Sequence, residues 1–579
     1  MLTHTAPSGG AMMDALNSMF NGWLGMGPVV PPRHPPGSLA ATASVAFNKF
    51  ARFENTPRPS PLSSLLARFS TRPILPSFAS PTYRAFAEAR CEVESQEQWV
   101  PLSLAIGEDA LAILGVGGMK QTDPALTLVR LDDPPKEDRY SSWGIDVPIG
   151  ISRRSSNLAL DESRRRVFVA DSWRIKSYRW AKTGEESLPR HTLSSIGYGG
   201  QLVLREGGSK LLRLGTGGLA VWNLAEQPTH GPKGKSTIGG KYGEYDDPVL
   251  SDRFDEENLE YSKGSPPSMT VKGTVMADIQ HWRDHPSKPN EALVTHRKRW
   301  TVSGIDIVTQ QIVRHYVGHG GEVSGIITSP DDPHSFLTTS YDGCVKFYDS
   351  RAPAPSLAIL HNEESVKSAL YELFDGQPYV IIGGTGSQQV KVWDVRARAP
   401  LYELSTGNNV VNALAWDRKR QTLYAATDCP WMDRIGYHHG YRPARFRTEE
   451  QENQARDAKR KKREEARKKR REERLKEPVK EPDDSDDEGN WEDEQDSDDD
   501  SYSDSYSESE SEESEGDPED RRCWPEDAWH FETSFGHPLD CGYPRMFRYK
   551  FRPDPDVTKL PEYGDGRITD PDDPYGMMF

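Results

Sequence analysis

The sequence predicts an all-β protein that is built from a repeated unit of about 45 residues. Two neighbouring stretches, 318–351 and 365–396, each contain three short runs of alternating apolar residues separated by turn residues. Both stretches end in an aromatic residue followed by Asp-x-Arg, and the two aspartates, Asp349 and Asp394, are 45 positions apart. A period of about 40–45 residues is typical of a propeller blade, which cannot bury both faces of its sheet alone. The repeat therefore predicts a β-propeller with further blades on both sides.

Weaker copies of the same pattern lie before and after this pair. In chain order they are 99–131, 156–180, 200–224 and 276–318, then 410–428 together with 544–551. The predicted architecture is a seven-bladed propeller that starts near residue 97 and closes near residue 552, since closure removes exposed sheet edges. If the first and fourth copies are ordinary hairpins, the number of blades is six or eight.

The interruptions of the repeat give a predicted layout for the whole chain. It consists of a mostly disordered, Pro- and Ser-rich region (1–95), blades one to six with the start of blade seven (96–429), an inter-blade loop within them (225–275), a charged insertion into the last blade (430–543), the closing strands of blade seven (544–560) and a C-terminal tail (561–579). A short helix at 83–91 is expected to lean on the propeller. The outer strand of the last blade is expected from 551–560 or from 72–78.

Composition indicates an intracellular protein. The chain has 579 residues, of which 35% are hydrophobic, and no apolar run approaches the length of about 20 residues that a membrane span needs. Its five cysteines are scattered, without the CxxC spacing of a zinc site: Cys91, Cys344, Cys429, Cys523 and Cys541. A reducing compartment and no membrane association are expected.

The net charge of −17 is concentrated in the insertion. Residues 483–520 contain 21 acidic and no basic residues, whereas 456–476 contain 13 basic and 5 acidic residues, which leaves −4 on the rest of the chain. The basic segment predicts a solvated helix over 450–478, and the acidic segment predicts disorder over 482–520. The acidic segment is suited to basic proteins. The segment 456–476 is suited to nuclear import, to association with the acidic segment or to non-specific contact with nucleic acid. Specific recognition of RNA is not expected, because the segment has no aromatic residue for base stacking.

Several motifs resemble those of the WD-repeat β-propeller family. They are Gly318-His319, Tyr341-Asp342-Gly343, Phe347-Tyr348-Asp349 and Val392-Trp393-Asp394. The resemblance implies a buried hydrogen-bond network whose members are His319, Thr338, Asp342 and Tyr348. Tyrosine stands at the last position, where the family usually has tryptophan. Buried polar groups need partners, so these residues are expected to be structural.

The two Asp-x-Arg endings carry the sharpest functional signal. In the family, consecutive repeats that end in Trp-Asp-x-Arg resemble the docking motif of substrate receptors for cullin-based ubiquitin ligases. The resemblance implies a partner-binding surface formed by Arg351, Arg396, Asp349, Asp394 and Trp393. Alternatively, each arginine pairs with its neighbouring aspartate or simply caps a blade edge.

The function expected from these observations is a non-enzymatic scaffold for protein complexes. It is either a substrate receptor that binds a ligase adaptor or a nuclear scaffold in ribosome assembly or other RNA- or chromatin-linked complexes. The glycine-rich turns lack the GK[ST] of a phosphate loop, and neither a catalytic constellation nor a cofactor or metal site is predicted. The protein is expected to act as a monomer within a complex, in the nucleus or in both nucleus and cytoplasm.

Overall fold

The computed structural model describes most of residues 60–132, 144–430 and 539–561. The gaps within these ranges are 70–74, 76, 119–120, 122, 152–156, 181–186, 217, 244–258, 274, 277–278, 298, 361–364, 386–388 and 540, and the positions described outside them are 432, 441–443, 461, 468 and 523–525.

Three elements precede the first blade in the sequence. They are strand β1 (Ala67–Phe69), helix α1 (Pro81–Ala87) and strand β2 (Cys91–Glu97). Region 1–95 was predicted to be mostly disordered. From residue 60 onward the structure instead places these elements in and against the propeller, and residues 1–59 lie outside the described part.

The first four blades follow one another along the chain, each as an antiparallel sheet read from its inner to its outer strand. Blade 1 consists of β3 (Val100–Ile106), β4 (Ala110–Gly117), β5 (Asp123–Arg130) and β6 (Ile145–Val147). Blade 2 consists of β7 (Asn157–Asp161), β8 (Arg166–Ala170), β9 (Arg174–Arg179) and β10 (Leu188–Ser194). Blade 3 consists of β11 (Leu202–Arg205), β12 (Lys210–Gly215), β13 (Gly218–Asn223) and β14 (Met269–Val271). Blade 4 consists of β15 (Ile279–His285), β16 (Lys288–His296), β17 (Val302–Asp306) and β18 (Gln311–Tyr316).

The last three blades contain the two repeats that predicted the fold. Blade 5 consists of β19 (Val323–Ser329), β20 (Asp332–Ser340), β21 (Cys344–Asp349) and β22 (Leu357–Leu360). Blade 6 consists of β23 (Ser368–Phe374), β24 (Gln377–Gly383), β25 (Gln389–Asp394) and β26 (Ala399–Ser405), with β1 as a fifth strand on β26. Blade 7 consists of β27 (Val410–Asp417), β28 (Thr422–Asp428), β31 (Arg545–Phe551) and β2. The prediction of a seven-bladed propeller is confirmed.

The hydrophobic core lies between the blades. Successive blades contact one another around the ring, through their inner strands except between blades 3 and 4, where β12 meets β15, and β27 of blade 7 contacts β3 of blade 1. One core cluster, for example, joins Leu114 of blade 1 to Val169 and Tyr178 of blade 2. Each sheet thus has both faces covered by its neighbours, which a blade in isolation cannot achieve.

Closure of the ring depends on a strand from the N-terminal segment. Strand β2 pairs with β31 along its full length, from Cys91 opposite Phe551 to Glu97 opposite Arg545. Both expected sources of this strand, 551–560 and 72–78, are therefore wrong. The propeller also begins before residue 96, and of the expected closing strands in 544–560 only β31 forms.

Helix α1 wedges between the last two blades. Ser80 caps the helix by accepting a hydrogen bond from the Tyr83 amide at 3.0 Å. On the buried face, the ring of Phe86 stacks on Phe374 of blade 6 with centroids 3.9 Å apart and lies 5.7 Å from Trp416 of blade 7. Because Phe86 is fully buried, the helix belongs to the core of this seam.

A buried ion cluster joins β1 to blade 6. The carboxylate of Glu403, on β26, accepts hydrogen bonds from Arg68 Nε at 3.0 Å and from Gln389 at 2.9 Å, and lies 3.0 Å from Lys391 Nζ. Glu403 and Lys391 are both almost completely buried. Hydrogen-bonded partners on several sides are what a buried carboxylate requires.

The segment 225–275 differs from its prediction as an inter-blade loop. It connects β13 to β14 and therefore lies within blade 3, between the third and fourth strands. The described part of this connection packs along the outer strand of blade 2. The Ser265 amide donates to the Thr192 carbonyl at 3.0 Å, and the Ser194 amide donates to the Ser265 carbonyl at 2.8 Å. The connection thereby pairs with an otherwise exposed strand edge.

The charged insertion separates β28 from β31, which are adjacent strands of blade 7. Two short strands, β29 (Tyr441–Pro443) and β30 (Cys523–Pro525), pair with each other. Residues Pro443–Arg522 form a unit of their own. Apart from Lys461 and Lys468, which are helical, the predicted basic helix and acidic segment lie outside the described residues, as does the C-terminal tail beyond 561. Among the described residues, no helix is long and apolar enough to cross a membrane.

Truncation of Phe86 tests whether helix α1 stabilises the contact between blades 6 and 7. Phe86→Ala should lower the free energy of unfolding by about 3–5 kcal/mol, because it opens a cavity among aromatic rings of two blades. The measurement is urea denaturation followed by tryptophan fluorescence. Phe78→Ala is the matched control, since Phe78 is 87% exposed and its loss should leave the transition unchanged. Equal effects of both substitutions would contradict a core role for α1.

The closing strand pair predicts a specific dependence on pH. Glu94 accepts hydrogen bonds from Arg548 and, at 2.9 Å, from Lys550 and Lys559. Burial raises its pKa, but these cations outweigh burial and lower the pKa from the usual 4.5 to about 2. A lowered pKa stabilises the folded state above pH 4.5, and this contribution is lost as the pH falls towards 2.

Glu94→Gln should therefore remove about 1–2 kcal/mol of stability at pH 7, after allowance for solvent screening, and flatten the acid limb of the stability curve. Glu97→Gln on the same strand is the control, because Glu97 is exposed. Stability measured by denaturation from pH 7 to pH 3 checks this, and parallel acid limbs for wild type and Glu94→Gln would refute it.

Candidate functional site: two aspartate–arginine turns on neighbouring blades

The turn after β21 holds Arg351 in a fixed orientation. Asp349 Oδ1 accepts from the Arg351 amide at 2.9 Å and from its Nε at 2.8 Å, and Asp349 Oδ2 accepts from Nη2 at 2.7 Å. This is the bidentate fork that guanidinium and carboxylate groups favour. The aspartate thus positions the arginine two residues later within one tight turn.

The turn after β25 repeats this geometry one blade further on. Asp394 Oδ1 accepts from the Arg396 amide at 2.9 Å and from its Nε at 3.2 Å, and Asp394 Oδ2 accepts from Nη2 at 2.9 Å. The pairing of each arginine with its own aspartate, which the sequence left as an alternative to docking, is therefore present in both turns.

Pairing with aspartate leaves much of each arginine accessible. The side chain of Arg351 is 71% exposed and that of Arg396 is 40% exposed. A guanidinium has five N–H donors, and the fork uses Nε–H and one Nη2–H. Three donors of Arg351 therefore remain for a partner, in an orientation that the turn has already set.

The two arginines differ in what surrounds them. Arg396 Nη2 also lies 3.3 Å from the Tyr83 hydroxyl of α1 and 3.5 Å from the Tyr379 hydroxyl, and these two hydroxyls are 2.6 Å apart. The buried Tyr83 of helix α1 thus supports Arg396 from within the fold, whereas Arg351 faces solvent. The sequence suggested the helix, but no pattern in it indicated the contact between Tyr83 and Arg396.

A neighbouring blade fixes the turn that carries Arg351. The carbonyl of Ser350, between Asp349 and Arg351, accepts from the Tyr316 hydroxyl at 2.7 Å and also from the Arg314 guanidinium. Both donors belong to β18 of blade 4. These two hydrogen bonds were not predicted, because the pattern within one repeat does not indicate which turn a neighbouring blade contacts.

Hydrogen bonding favours the charged form of both arginines. Hydrogen bonds from Arg351 lower the pKa of Asp349 to about 2, and the same bonds raise the pKa of Arg351. Burial lowers the pKa of Arg396, but its hydrogen bonds to Asp394 and Tyr83 raise it by more. The cationic donors are present at every physiological pH.

Trp393 does not belong to this surface. It was expected among the partner-binding residues, but it is 1% exposed and packs with Leu337 of blade 5 and Val380 of blade 6. Asp394 is also mostly buried. The tryptophan anchors the end of β25, and the contact surface of the two turns reduces to their arginines and the exposed edges of their aspartates.

The four residues of the expected hydrogen-bond network lie together within blade 5. His319 Nδ1 lies 3.1 Å from Asp342 Oδ2, and His319 Nε2 lies 2.6 Å from the Thr338 hydroxyl. Asp342 also accepts from the amides of Gly320 and Cys344 at 2.8 and 2.9 Å. Burial raises the pKa of Asp342, but hydrogen bonding by His319 lowers it well below its usual value.

Tyr348 lies next to the network, in the position where the family usually has tryptophan. Its hydroxyl donates to the Val317 carbonyl at 3.2 Å. Its ring stacks on Phe336, with centroids 5.0 Å apart. A backbone carbonyl therefore satisfies the tyrosine hydroxyl, whereas His319, Thr338 and Asp342 are linked to one another.

Comparisons with known proteins identify the repeat. Residues 310–349 match the family model "WD domain, G-beta repeat" of the WD40 family. The match runs from the outer strand of blade 4 to the third strand of blade 5, so the sequence repeat is offset from the blade by one strand. Among solved structures, the WD40 β-propeller domain of Doa1 is similar at 11% identity, covering 58% of this chain and 93% of that chain, with a TM-score of 0.39. The chain is thus a seven-bladed β-propeller that contains a WD repeat at 310–349.

The other classes of site are not found in the described residues. No group of three or more His, Cys, Asp or Glu side chains in this part of the chain is arranged to hold a metal ion. The cysteines described, Cys91, Cys344, Cys429 and Cys541, are buried and reduced. WD40 propellers are in general non-catalytic scaffolds that bind other proteins.

Removal of the Asp342 carboxylate tests the network. Asp342→Ala leaves His319 and two backbone amides without their acceptor in the core, and should lower the free energy of unfolding by about 2–4 kcal/mol. Chemical denaturation measures the loss. Asp306→Ala is a suitable control, because Asp306 also accepts from two amides but does so at the surface, and should cost far less. A similar cost for both would contradict the structural role of the network.

Proposed function

We propose that this chain is a substrate receptor that binds the adaptor of a cullin-type ubiquitin ligase through Arg351 and Arg396. The observation that carries the proposal is the repetition of one aspartate–arginine fork at the same turn of two consecutive blades. A single such turn is explained by local capping. Two turns of equal geometry, each keeping unused guanidinium donors, favour recognition of a partner.

Preorganisation supports the choice of these arginines. A long side chain normally loses rotamer freedom on binding, at a cost of about 0.5–1.5 kcal/mol. The hydrogen bonds from each arginine to its aspartate, and those that blade 4 donates to the Ser350 carbonyl, have already restricted this freedom in the unbound protein. The planar guanidinium groups then offer hydrogen bonds to carbonyl or carboxylate groups of the adaptor.

Helix α1 supports one of the two arginines of the proposed surface. The hydroxyl of the buried Tyr83 lies beside the guanidinium of Arg396 and helps to hold it in place. The remaining loops of the propeller are left for the substrate, in keeping with the scaffolding role of the fold.

The charged insertion supports a nuclear location. On the basis of the basic segment 456–476, we propose that the protein lies in the nucleus or in both nucleus and cytoplasm. Basic proteins are proposed as further partners of the acidic segment.

A second candidate function is a nuclear scaffold for ribosome assembly or other RNA-linked complexes. The observation that favours it is the density of basic charge in 456–476. Deletion of 450–480 should then weaken RNA binding and reduce its dependence on salt, because fewer counterions are released. Unchanged RNA affinity across a salt titration would exclude this function.

The ligase proposal predicts the effect of one double substitution. Arg351→Ala with Arg396→Ala should reduce affinity for the purified ligase adaptor at least about tenfold, because each fork loses its charged donors. Surface plasmon resonance measures binding, and circular dichroism should show an unchanged fold. Arg297→Ala with Arg299→Ala is matched in charge and places the change in an exposed loop of blade 4. Equal adaptor binding by both variants would refute the receptor function.

A further inference from the structure

Four arginines gather at one end of blade 2. Arg166 opens β8 and Arg179 closes β9, and the two are directly opposite each other in the antiparallel pair. Arg190 is the extra residue of a bulge in β10, next to this pair, and Arg164 lies in the turn between β7 and β8. Three of these side chains, those of Arg164, Arg179 and Arg190, are exposed, and that of Arg166 is half-buried.

This arrangement is unfavourable for folding. Like charges placed directly opposite each other on neighbouring strands destabilise a sheet. In the part of the chain that the structure describes, no carboxylate lies within ion-pair distance of Arg166, Arg179 or Arg190, and only Arg164 is paired, to Asp161 at 3.4 Å. Among the described residues, no ion pair offsets the repulsion between the opposed Arg166 and Arg179, an arrangement of the kind that ligand-binding sites often contain at a cost in stability.

Three acids that the structure describes near the cluster each have another partner. Asp161 accepts from the Ser163 hydroxyl at 2.7 Å as well as from Arg164. The carboxylate of Glu162 accepts from the amides of Glu108 and Asp109 in blade 1, each at 2.6 Å. Glu206, in blade 3, is 2.6 Å from Lys210. The charge of Asp161 also acts on Arg166, but none of these three carboxylates forms an ion pair with Arg166, Arg179 or Arg190.

The positive charge of the cluster contributes to lowering the pKa of a buried histidine beside it. His191 is 1% exposed, and its Nδ1 lies 2.8 Å from the Ser177 hydroxyl. Burial, followed by the charges of Arg166 and Arg190, lowers the pKa of His191 to about 3. Burial also lowers the pKa of Arg166, the charge of Asp161 raises it, and the charges of Arg190, Arg164 and Arg179 lower it. The histidine stays neutral, so it adds no charge and leaves the net positive potential to the arginines.

We propose that this cluster binds a phosphoserine- or phosphothreonine-containing segment of a partner protein, with the phosphate between Arg166 and Arg179. A phosphate carries close to two negative charges and three acceptor oxygens, which suits several guanidinium groups at once. Arg190 and Arg164 then surround it. This site is separate from the turns of Arg351 and Arg396, and it does not depend on the ligase function.

The surroundings favour a phosphopeptide over nucleic acid. Single-stranded nucleic acids require exposed aromatic rings on which bases stack. The aromatic residues of the adjacent strands, Phe168, Tyr178 and Trp180, are buried. The same strands expose one apolar side chain, Leu188, directly opposite Arg179, which suits a residue flanking the phosphate.

The test uses the full-length protein and two peptide libraries with degenerate flanks, one fixed at a central phosphoserine and one at serine. The immobilised protein should retain the phosphorylated library at least about tenfold more strongly, since a dianion gains several charge-assisted hydrogen bonds. Arg166→Gln with Arg179→Gln should abolish this preference, and Arg297→Gln with Arg299→Gln should preserve it. A 20-nucleotide single-stranded RNA is the competing probe.

Thermal stability provides an independent readout. In the absence of ligand, Arg166→Gln with Arg179→Gln should leave the Tm unchanged or raise it by about 1–3 °C, because a like-charge pair is removed. A fall of several degrees would show that the arginines serve the fold and would overturn the proposal. Equal retention of both libraries, full retention by the double variant, or RNA bound in preference to phosphopeptide would overturn it as well.

Discussion

The pairing of β2 with β31 is the constraint on which the rest of the structure depends. Every blade is stable only because its two neighbours cover its faces, so the ring has no stable end until blade 7 receives its outer strand. That strand comes from residues 91–97, more than 440 positions before its partner in the sequence. The inter-blade cores, the hydrogen-bond network of blade 5 and the two aspartate–arginine turns all rest on this one long-range contact.

The N-terminal segment secures the seam in more than one way. While β2 completes blade 7, β1 extends blade 6 and contributes Arg68 to the buried Glu403, and Phe86 fills the space between the two blades. These contacts are of three different kinds, namely strand pairing, a buried ion cluster and aromatic packing. The same segment places Tyr83 next to Arg396, so the element that closes the ring also shapes the surface proposed for the ligase adaptor.

Much of the propeller was predictable because inner strands are apolar, alternate regularly and recur with a fixed period. The outer strands were less predictable. Strand β2, residues 91–97 (CEVESQE), pairs along only one edge and has a polar composition. Strand β14 is only three residues long, so the long connection before it resembled an inter-blade loop. The sequence pattern also did not predict which side chains point into the core. Trp393 and Arg396 stand three positions apart in one motif, yet the first is in the core and the second is at the surface.

The origin of β2 also sets an order of events during synthesis. Residues 91–97 leave the ribosome first among the strands of blade 7, but β31 follows only after all the other blades and the insertion have been made. At typical synthesis rates of about 5–20 residues per second, the interval is roughly 20–90 s. Throughout this time β2 has no partner strand, and the aromatic face of α1 has no partner until Phe374 and Trp416 have been made. The nascent chain therefore exposes an unpaired strand and a hydrophobic helix, and chaperone binding to this segment would protect it from aggregation until release.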